Sequence, residues 1–254
     1  MKMNPLSLTV FFPCHNEEGN VERVTLEAIL ACQRFATDYE VIIVNDGSKD
    51  RTGEIADRLA AEHDCVRVIH NETNLGYGGA LQAGYRAATK EYVFYTDGDG
   101  QFDLKEIDRV LVLRDKFDIV SAYRINRQDS TMRKLNAFCW GSLVNFLFNL
   151  RIKDVDCAFK LLPRRLFDQI DMHSTGALID TEVLAKARRL EYSIGQVGVN
   201  HYPRTVGTQS GANIKVIFRA FRELFRLYRQ IKGEVPQNRS PKHTVTTPIP
   251  DTAS

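Results

Sequence analysis

The stretch Val93-Phe94-Tyr95-Thr96-Asp97-Gly98-Asp99-Gly100-Gln101 runs from apolar and β-branched residues directly into two aspartates separated by one glycine. Its first four residues are typical of a buried strand in a parallel sheet, and the glycines permit a sharp turn at the carboxyl end. Open α/β sheets bind their ligands at that edge. Asp97 and Asp99 can there share one hard divalent cation, which commonly also holds a nucleotide diphosphate. The alternative is an ordinary polar turn, because short motifs often match by chance.

Strand-like runs recur along the chain at intervals of about 25 residues, with helical patterns between them. Strands are predicted at residues 8–12, 40–44, 66–69, 93–96, 118–124, 154–162 and 194–199, with Pro13 ending the first. Helices are predicted after Asn20, which can act as an N-cap, and at 133–149, 180–190 and 214–232. This alternation predicts an α/β fold, a single domain whose mainly parallel, Rossmann-like sheet is flanked by helices and followed by a C-terminal helix.

The composition indicates an ordinary globular protein. Of its 254 residues, 26% are charged and 43% are hydrophobic, and the net charge is only +2. This balance gives no argument for a nucleic-acid partner, and none is expected. The five cysteines include no Cys-x-x-Cys spacing, which indicates reduced thiols and argues against a structural zinc site.

The two ends of the chain bear on its location. Residues 1–12 lack the apolar core of a signal peptide, and no window reaches about 18 uninterrupted apolar residues, so we expect a cytoplasmic protein. Residues 214–232 alternate apolar side chains with arginines and lysines. Such a basic amphipathic helix either lies on an anionic membrane or packs onto the domain. The expected boundaries are 1–213 for the main domain, 214–233 for this helix and 234–254 for a disordered tail.

Five short motifs follow one another along the chain. They are Pro13-Cys14-His15-Asn16-Glu17-Glu18, Val44-Asn45-Asp46-Gly47-Ser48, Asn74-Leu75-Gly76, Asp97-Gly98-Asp99 and Val155-Asp156-Cys157-Ala158-Phe159-Lys160. Over about residues 5–230 the chain resembles the family 2 glycosyltransferases, in particular the branch of dolichyl-phosphate mannosyltransferase and the bacterial polyprenyl-phosphate glycosyltransferases. Five motifs in the same order are much stronger evidence than any one of them.

The resemblance implies a GT-A fold, a nucleotide-sugar donor, inversion at the anomeric carbon and a divalent cation, Mg²⁺ or Mn²⁺. It assigns metal and diphosphate binding to Asp97 and Asp99, and it makes these two and Arg204 the catalytic residues. The other donor-binding residues that it implies are Pro13, Asn16, Glu17, Asp46, Gly76, Gly98 and Asp156. The glycines at 76, 78 and 79 are expected to let the backbone approach the ligand. The alternatives are an ordinary turn at Asp46 and an ordinary helix start at Gly76.

The acceptor side follows from the same resemblance. It places Arg124 and Arg133 where guanidinium groups would hold a lipid phosphate through charge-assisted hydrogen bonds. Ala137 stands where relatives commonly carry a serine, and ordinary surface ion pairs are the alternative for both arginines. The resemblance also implies a sugar pocket and a segment that closes over the diphosphate. The pocket residues are Asp154, Asp156 and Lys160, and the closing segment contains His201, Arg204, Gln209 and Ser210.

We therefore expect a metal-dependent inverting glycosyltransferase that moves a hexose from GDP-mannose or UDP-glucose to a polyprenyl or dolichyl phosphate. It is expected to lie at the inner face of the cell membrane, through the helix at 214–232. Two alternatives stay open. The acceptor could be a glycan or another hydroxyl, which would require a base such as Asp156 or Asp180. The protein could instead bind nucleotide sugars without catalysis.

Overall fold

The structure, a computed structural model, describes residues 6–125, 131–204 and 214–234, without the side chains of 131–136 and 214–220. Its strands are β1 (Ser7–Cys14), β2 (Asp38–Asp46), β3 (Val66–Asn71), β4 (Tyr92–Thr96), β5 (Ile119–Ile125), β6 (Phe159–Pro163) and β7 (Ile194–Asn200). Its α-helices are α1 (Val21–Phe35), α2 (Thr52–Glu62), α3 (Gly76–Ala87), α4 (Ile107–Leu111), α5 (Thr131–Phe148), α6 (Ile179–Arg189) and α7 (Ile214–Gly233).

The strands form one sheet in the order β3-β2-β1-β4-β6-β5-β7. Within the described residues every pairing is parallel except those of β6, which runs antiparallel to both β4 and β5. The carboxyl ends of β1, β2, β4 and β5 therefore share one edge, and the turn before β6 reaches the same edge. This confirms the predicted α/β fold with a mainly parallel sheet.

The core lies along the central strands, which are apolar on both faces because helices cover both sides of the sheet. Phe11, Phe12, Ile42, Ile43 and Phe94 are all fully buried. Each such side chain contributes about 1.5–3 kcal/mol of burial free energy. This rigid centre fixes the strand ends from which the polar loops leave.

Three local predictions were wrong. Strand β1 does not stop at Pro13 but continues to Cys14. Its pairing with β4 ends at Phe11, so Pro13 has a strand neighbour on the β2 side only, where a proline is tolerated. Asn20 makes no side-chain cap to α1, because its amide donates to Glu17 at 2.8 Å. The predicted strand at 154–162 is a turn followed by β6, because the Cys157 N–H donates back to the Asp154 carbonyl at 3.4 Å and the strand begins only at Phe159.

Helix α7 packs onto the domain through its apolar face. Leu224, Leu227 and Ile231 are buried. Phe221 meets Trp140 edge-to-face at 5.6 Å, and Tyr228 meets Phe148 at 5.8 Å, so α7 lies beside α5 and runs parallel to it. Among the described helices, none is both long enough and apolar enough to cross a membrane. The tail predicted for 234–254 lies outside the described residues except for Glu234.

Candidate functional site

A cleft of about 300 Å³ opens at the carboxyl edge of the sheet. It is lined by Pro13, Cys14, His15, Glu17, Asp46, Asn74, Tyr77, Ala80, Asp97, Gly98, Asp99 and Arg204. Seven of the sequence-predicted site residues are thus brought together: Pro13, Glu17, Asp46, Asp97, Gly98, Asp99 and Arg204. Asn16, Gly76, Arg124 and Asp156 are not among the lining residues. The side chain of Arg133 lies outside the described residues, as do Gln209 and Ser210.

Asp97 and Asp99 follow β4 directly and face the cleft together. Burial, and then the neighbouring charge of Asp99, raise the pKa of Asp97 from 3.8 to about 7. Asp99 accepts a hydrogen bond from the Gln101 N–H at 3.1 Å. Gly98 between them cannot be replaced without a shift, because a Cβ there would lie 2.6 Å from both Cys14 Sγ and the Pro13 carbonyl oxygen.

Arg204 reaches the cleft from the segment after β7. Its guanidinium pairs with Glu17 and lies 3.8 Å from Asp99 Oδ2. The segment is held by the loop after Asp99: the Tyr202 N–H donates to the Gln101 carbonyl at 2.9 Å, and Gln101 Nε2 donates back to the Tyr202 carbonyl at 2.8 Å. His201 packs edge-to-face on Phe102. These contacts fix the position of the Arg204 guanidinium beside Asp97 and Asp99.

Asp46 ends β2, and its carboxylate is almost completely buried. Its Oδ1 accepts hydrogen bonds from Asn71 Nδ2 at 2.8 Å and from the Leu75 N–H at 2.9 Å. Both contacts use the same oxygen, so Oδ2 can accept a bond from a ribose hydroxyl or a base N–H. The Asp46 side chain therefore does more than form an ordinary turn, because it joins the end of β2 to the residues before α3.

Asn16 serves the loops around the cleft. Its backbone is left-handed, with φ 56°, which asparagine tolerates better than most residues. Its Oδ1 accepts the Lys49 N–H at 2.8 Å, and its own N–H donates to Ser48 Oγ at 3.0 Å. Asn16 thus ties the loop after β1 to the loop after β2.

The glycines at the start of α3 were expected to let the backbone approach a ligand. Instead, Gly76 and Gly78 lie against a loop of the protein itself. Gly76 has φ +80°, and a Cβ there would lie 2.9 Å from the Thr175 carbonyl oxygen. That carbonyl accepts the N–H groups of Gly78 at 2.9 Å and Gly79 at 3.3 Å. The first amides of the helix therefore bind a loop of the protein itself.

The residues expected around the sugar and the acceptor phosphate form two clusters of their own. Arg124 donates to both oxygens of Asp154, at 2.7 and 2.8 Å. Lys160 is fully buried and donates to Tyr95, Asp180 and the Cys157 carbonyl, so its amino group supports the turn before β6. The prediction that Lys160 lines a sugar pocket was wrong, because its amino group is buried in these contacts.

Asp156 stands on the same turn with its side chain exposed at the surface. Partial desolvation of its carboxylate, and then the charge of Asp180, raise the pKa of Asp156 above its ordinary value of 3.8. Solvent screens this shift in part, because the residue is exposed.

The prediction missed five lining residues: Cys14, His15, Asn74, Tyr77 and Ala80. Cys14, His15 and Asn74 belong to the five motifs, but the resemblance assigns roles only to their neighbours. Tyr77 lies between two glycines, and only the tertiary structure shows that its hydroxyl meets Asp97 at 3.1 Å.

A sequence model described as Glycosyl transferase family 2 matches residues 9–171, more than half of the chain. The chain belongs to this family. The family that the sequence predicted is thereby confirmed.

Curated relatives of this family 2 glycosyltransferase are similar at low identity. Glycosyltransferase AglD of Haloferax volcanii is 29% identical over 78% of the chain and 34% of its own length. The undecaprenyl-phosphate 4-deoxy-4-formamido-L-arabinose transferase of Pectobacterium atrosepticum is 27% identical over 83% and 64%. The dolichyl-phosphate beta-glucosyltransferase ALG5C of Trichomonas vaginalis is 26% identical over 75% and 62%. The chain thus spans between a third and just under two thirds of these relatives.

Solved structures of two sugar synthases share the fold of this family 2 glycosyltransferase. Glucosyl-3-phosphoglycerate synthase from Mycobacterium tuberculosis, in complex with Mn²⁺, UDP and glucosyl-3-phosphoglycerate, has a TM-score of 0.66 at 17% identity, covering 90% of this chain and 80% of that one. Mannosyl-3-phosphoglycerate synthase from Rubrobacter xylanophilus has a TM-score of 0.67 at 19% identity, covering 94% and 78%. At these identities the likeness shows the fold alone, and it confirms the GT-A prediction.

The carboxylates of the cleft fit a hard divalent cation that is held jointly with a diphosphate. Within the described residues, no three His, Cys, Asp or Glu side chains are grouped so that they could hold a metal by themselves. Mg²⁺ in nucleotide sites needs only one or two carboxylates, since phosphate oxygens and water supply the remaining ligands. The crowding that raises the pKa of Asp97 is relieved by such a cation.

Proposed function

We propose that this family 2 glycosyltransferase is metal-dependent and inverting, and that it moves a hexose from GDP-mannose or UDP-glucose to a polyprenyl or dolichyl phosphate. The observation that carries the proposal is the meeting of Asp46, the Asp97–Asp99 pair and Arg204 in one cleft. In this proposal Asp46 binds the nucleoside, Asp97 and Asp99 would hold a metal ion with the diphosphate, and Arg204 balances the negative charge of the leaving group. Two of the relatives are named as an undecaprenyl-phosphate and a dolichyl-phosphate sugar transferase, and these names support the acceptor class.

Each residue of the cleft has a defined task in this proposal. Asp46 accepts hydrogen bonds from the nucleoside through Oδ2. Asp97 and Asp99 would hold Mg²⁺ or Mn²⁺, which when bound neutralises charge on the diphosphate. Arg204 stabilises the negative charge that develops on the departing nucleoside diphosphate, and a fixed cation does so without reorganisation.

The chemical step needs no strong base. A phosphate acceptor is already ionised at neutral pH, so its oxygen attacks the anomeric carbon directly. The bond from that carbon to the diphosphate oxygen breaks, its electron pair leaves with the nucleoside diphosphate, and the configuration inverts. Of the two arginines proposed to bind the acceptor phosphate, the structure describes the side chain of Arg124. Nε and Nη2 of Arg124 donate to Asp154, so we propose that Nη1 donates to a phosphate oxygen of the acceptor.

The acceptor is proposed to be reached at the cytoplasmic face of a membrane. On α7 the side chain of Phe225 is 51% exposed, and Arg222, Arg226 and Arg229 are exposed around it. On the neighbouring α5, Phe138 and Phe146 are 72% and 84% exposed. Exposed aromatic rings beside arginines suit an anionic lipid surface, where each cation adds about 1 kcal/mol of attraction.

The deciding experiment is transfer of labelled sugar from GDP-mannose, UDP-glucose or UDP-N-acetylglucosamine to polyprenyl phosphate, with Mn²⁺ or Mg²⁺, followed by extraction into organic solvent. Label that is extractable, sensitive to EDTA and absent with Asp99→Asn supports the proposal and names the donor. Donor binding without extractable label would rule out the lipid phosphate and favour another acceptor or a non-catalytic binding protein.

A hydroxyl acceptor is the second candidate, and Asp156 is the observation that favours it. Its turn borders the Arg124–Asp154 pair, and its raised pKa brings the carboxyl closer to the range in which a general base works at neutral pH. Asp180 does not serve as the alternative base, because it is buried and bound to Lys160 and Tyr95. A pH–rate profile with an acidic limb that disappears in Asp156→Asn would support this candidate.

A further inference from the structure

The glycine-rich start of α3 is clamped by a loop from the other half of the domain, residues 173–176. The Thr175 carbonyl accepts the N–H groups of Gly78 and Gly79, as described above. Gly78 has no space for a side chain, since a Cβ there would lie 2.6 Å from the Gly176 carbonyl oxygen and would also meet that of Ser174. The contact is therefore backbone against backbone, which allows little adjustment.

The clamping loop is itself held from α6 by a fully buried carboxylate. Glu182 accepts the His173 N–H at 3.0 Å and the Ser174 N–H at 2.7 Å. Lys186, one turn further along α6, balances the charge of Glu182 at 3.1 Å. From α3, Gln82 Nε2 donates to the Ser174 carbonyl at 2.9 Å. Loop 173–176 is thus tied to both helices by charge-assisted and backbone hydrogen bonds.

Tyr77 is the residue that this clamp fixes, because it stands between Gly76 and Gly78. Its hydroxyl donates to Asp97 Oδ1 at 3.1 Å from the wall of the cleft. A phenol is protonated at neutral pH, so it is a hydrogen-bond donor to a carboxylate under working conditions. A donor bound to one oxygen of Asp97 sets the rotation of the carboxylate and therefore the direction of the other oxygen.

We propose that Tyr77 is a positioning residue that orients the Asp97 carboxylate for the divalent cation, and that Gly76 and Gly78 leave the space in which loop 173–176 holds Tyr77 in place. This inference rests on the proposed role of Asp97 as a metal ligand. It adds Tyr77 and loop 173–176, neither of which is proposed to bind the metal directly. Outer partners of metal ligands commonly change metal affinity by about 10–100-fold when they are removed.

The test measures Mn²⁺ binding by electron paramagnetic resonance, in the presence of UDP and separately of GDP. Tyr77→Phe removes only the hydroxyl and is expected to weaken Mn²⁺ binding about tenfold. Tyr85→Phe is the matched control, because it removes the same atom from a buried tyrosine of the same helix whose hydroxyl bonds Tyr95 instead of Asp97. Its Mn²⁺ affinity should equal that of the parent protein.

A second variant tests the clamp. Gly78→Ala forces loop 173–176 away from α3, and its Mn²⁺ affinity should fall as in Tyr77→Phe, with no further loss in the double variant if both act through one contact. Thermal unfolding confirms that each variant is folded. Parent affinity in a folded Tyr77→Phe would overturn the inference while leaving the metal site in place. Failure of the parent protein itself to bind Mn²⁺ with either nucleotide would overturn the metal role in the proposed function as well.

Discussion

The guanidinium of Arg204 lies 3.8 Å from Asp99 Oδ2, and the same guanidinium pairs with Glu17 across the mouth of the cleft. The antiparallel bridge between Phe102 and His201 brings these distant parts of the chain together. The positive charge of Arg204 therefore balances the carboxylates of Glu17 and Asp99, and it lies close to the proposed position of the leaving diphosphate.

Replacing Arg204 tests its proposed role in catalysis. Arg204→Ala should lower kcat by about 10²–10³-fold, because it removes the fixed positive charge beside the leaving group. Arg204→Lys should recover part of the loss, since it restores the charge without the planar fork. Steady-state kinetics of label transfer measure both, with Arg58→Ala, in a surface pair with Glu22, as the control. An unchanged kcat in Arg204→Ala would contradict the role.

The raised pKa of Asp97 predicts how the stability of the metal-free protein depends on pH. Between the ordinary value of 3.8 and about 7, the folded state holds this proton more tightly than the unfolded state does. Stability should therefore fall as the pH rises through this window, whereas Asp97→Asn should lack that part of the slope. Thermal unfolding from pH 5 to 8 in EDTA measures the difference, and identical slopes in both proteins would refute it.

Asp46 is predicted to control donor affinity more than turnover. Asp46→Asn keeps an oxygen for Asn71 and the Leu75 N–H but removes the charge, so the fold should persist while nucleotide binding weakens. Asp46→Ala leaves both donors without their acceptor and should cost about 1–3 kcal/mol in the free energy of unfolding. Calorimetric titration with UDP and GDP and chemical denaturation give the two quantities. Equal nucleotide affinity in parent and Asp46→Asn would exclude the contact.

The exposed rings of α5 predict binding to anionic membranes. Phe138→Ser combined with Phe146→Ser should reduce cosedimentation with phosphatidylglycerol vesicles, because each ring removes apolar area from the lipid contact. Reversing the charge of Arg222 or Arg226 should weaken binding at least about fivefold per residue, in line with the attraction of one cation.

The control for the membrane experiment uses other exposed apolar residues, which lie outside α5 and α7. Leu30 and Val112 are 64% and 63% exposed, and Leu30→Ser with Val112→Ser should leave vesicle binding unchanged. Vesicle binding that persists unchanged in the variant with both Phe138→Ser and Phe146→Ser would show that these rings do not bind lipid.

Much of the site could be predicted because its signals are local. Alternating strand and helix patterns favour parallel strands, and parallel strands place their carboxyl ends on one edge, so Asp46, Asp97 and Asp99 were expected on the same edge of the sheet. The burial of Phe94 and Tyr95 follows from the same short run of residues.

By itself, the sequence determined the order of the elements, the edge that carries the carboxylates, and the family. The tertiary structure decided what each nearby group touches: Tyr77 on Asp97, Thr175 on the glycines of α3, and Lys160 buried under Asp180 instead of facing a sugar. The physical reason is that periodicity and turn residues report on neighbours in the chain. Contacts between distant segments depend on how buried side chains and backbone groups satisfy one another when the domain packs.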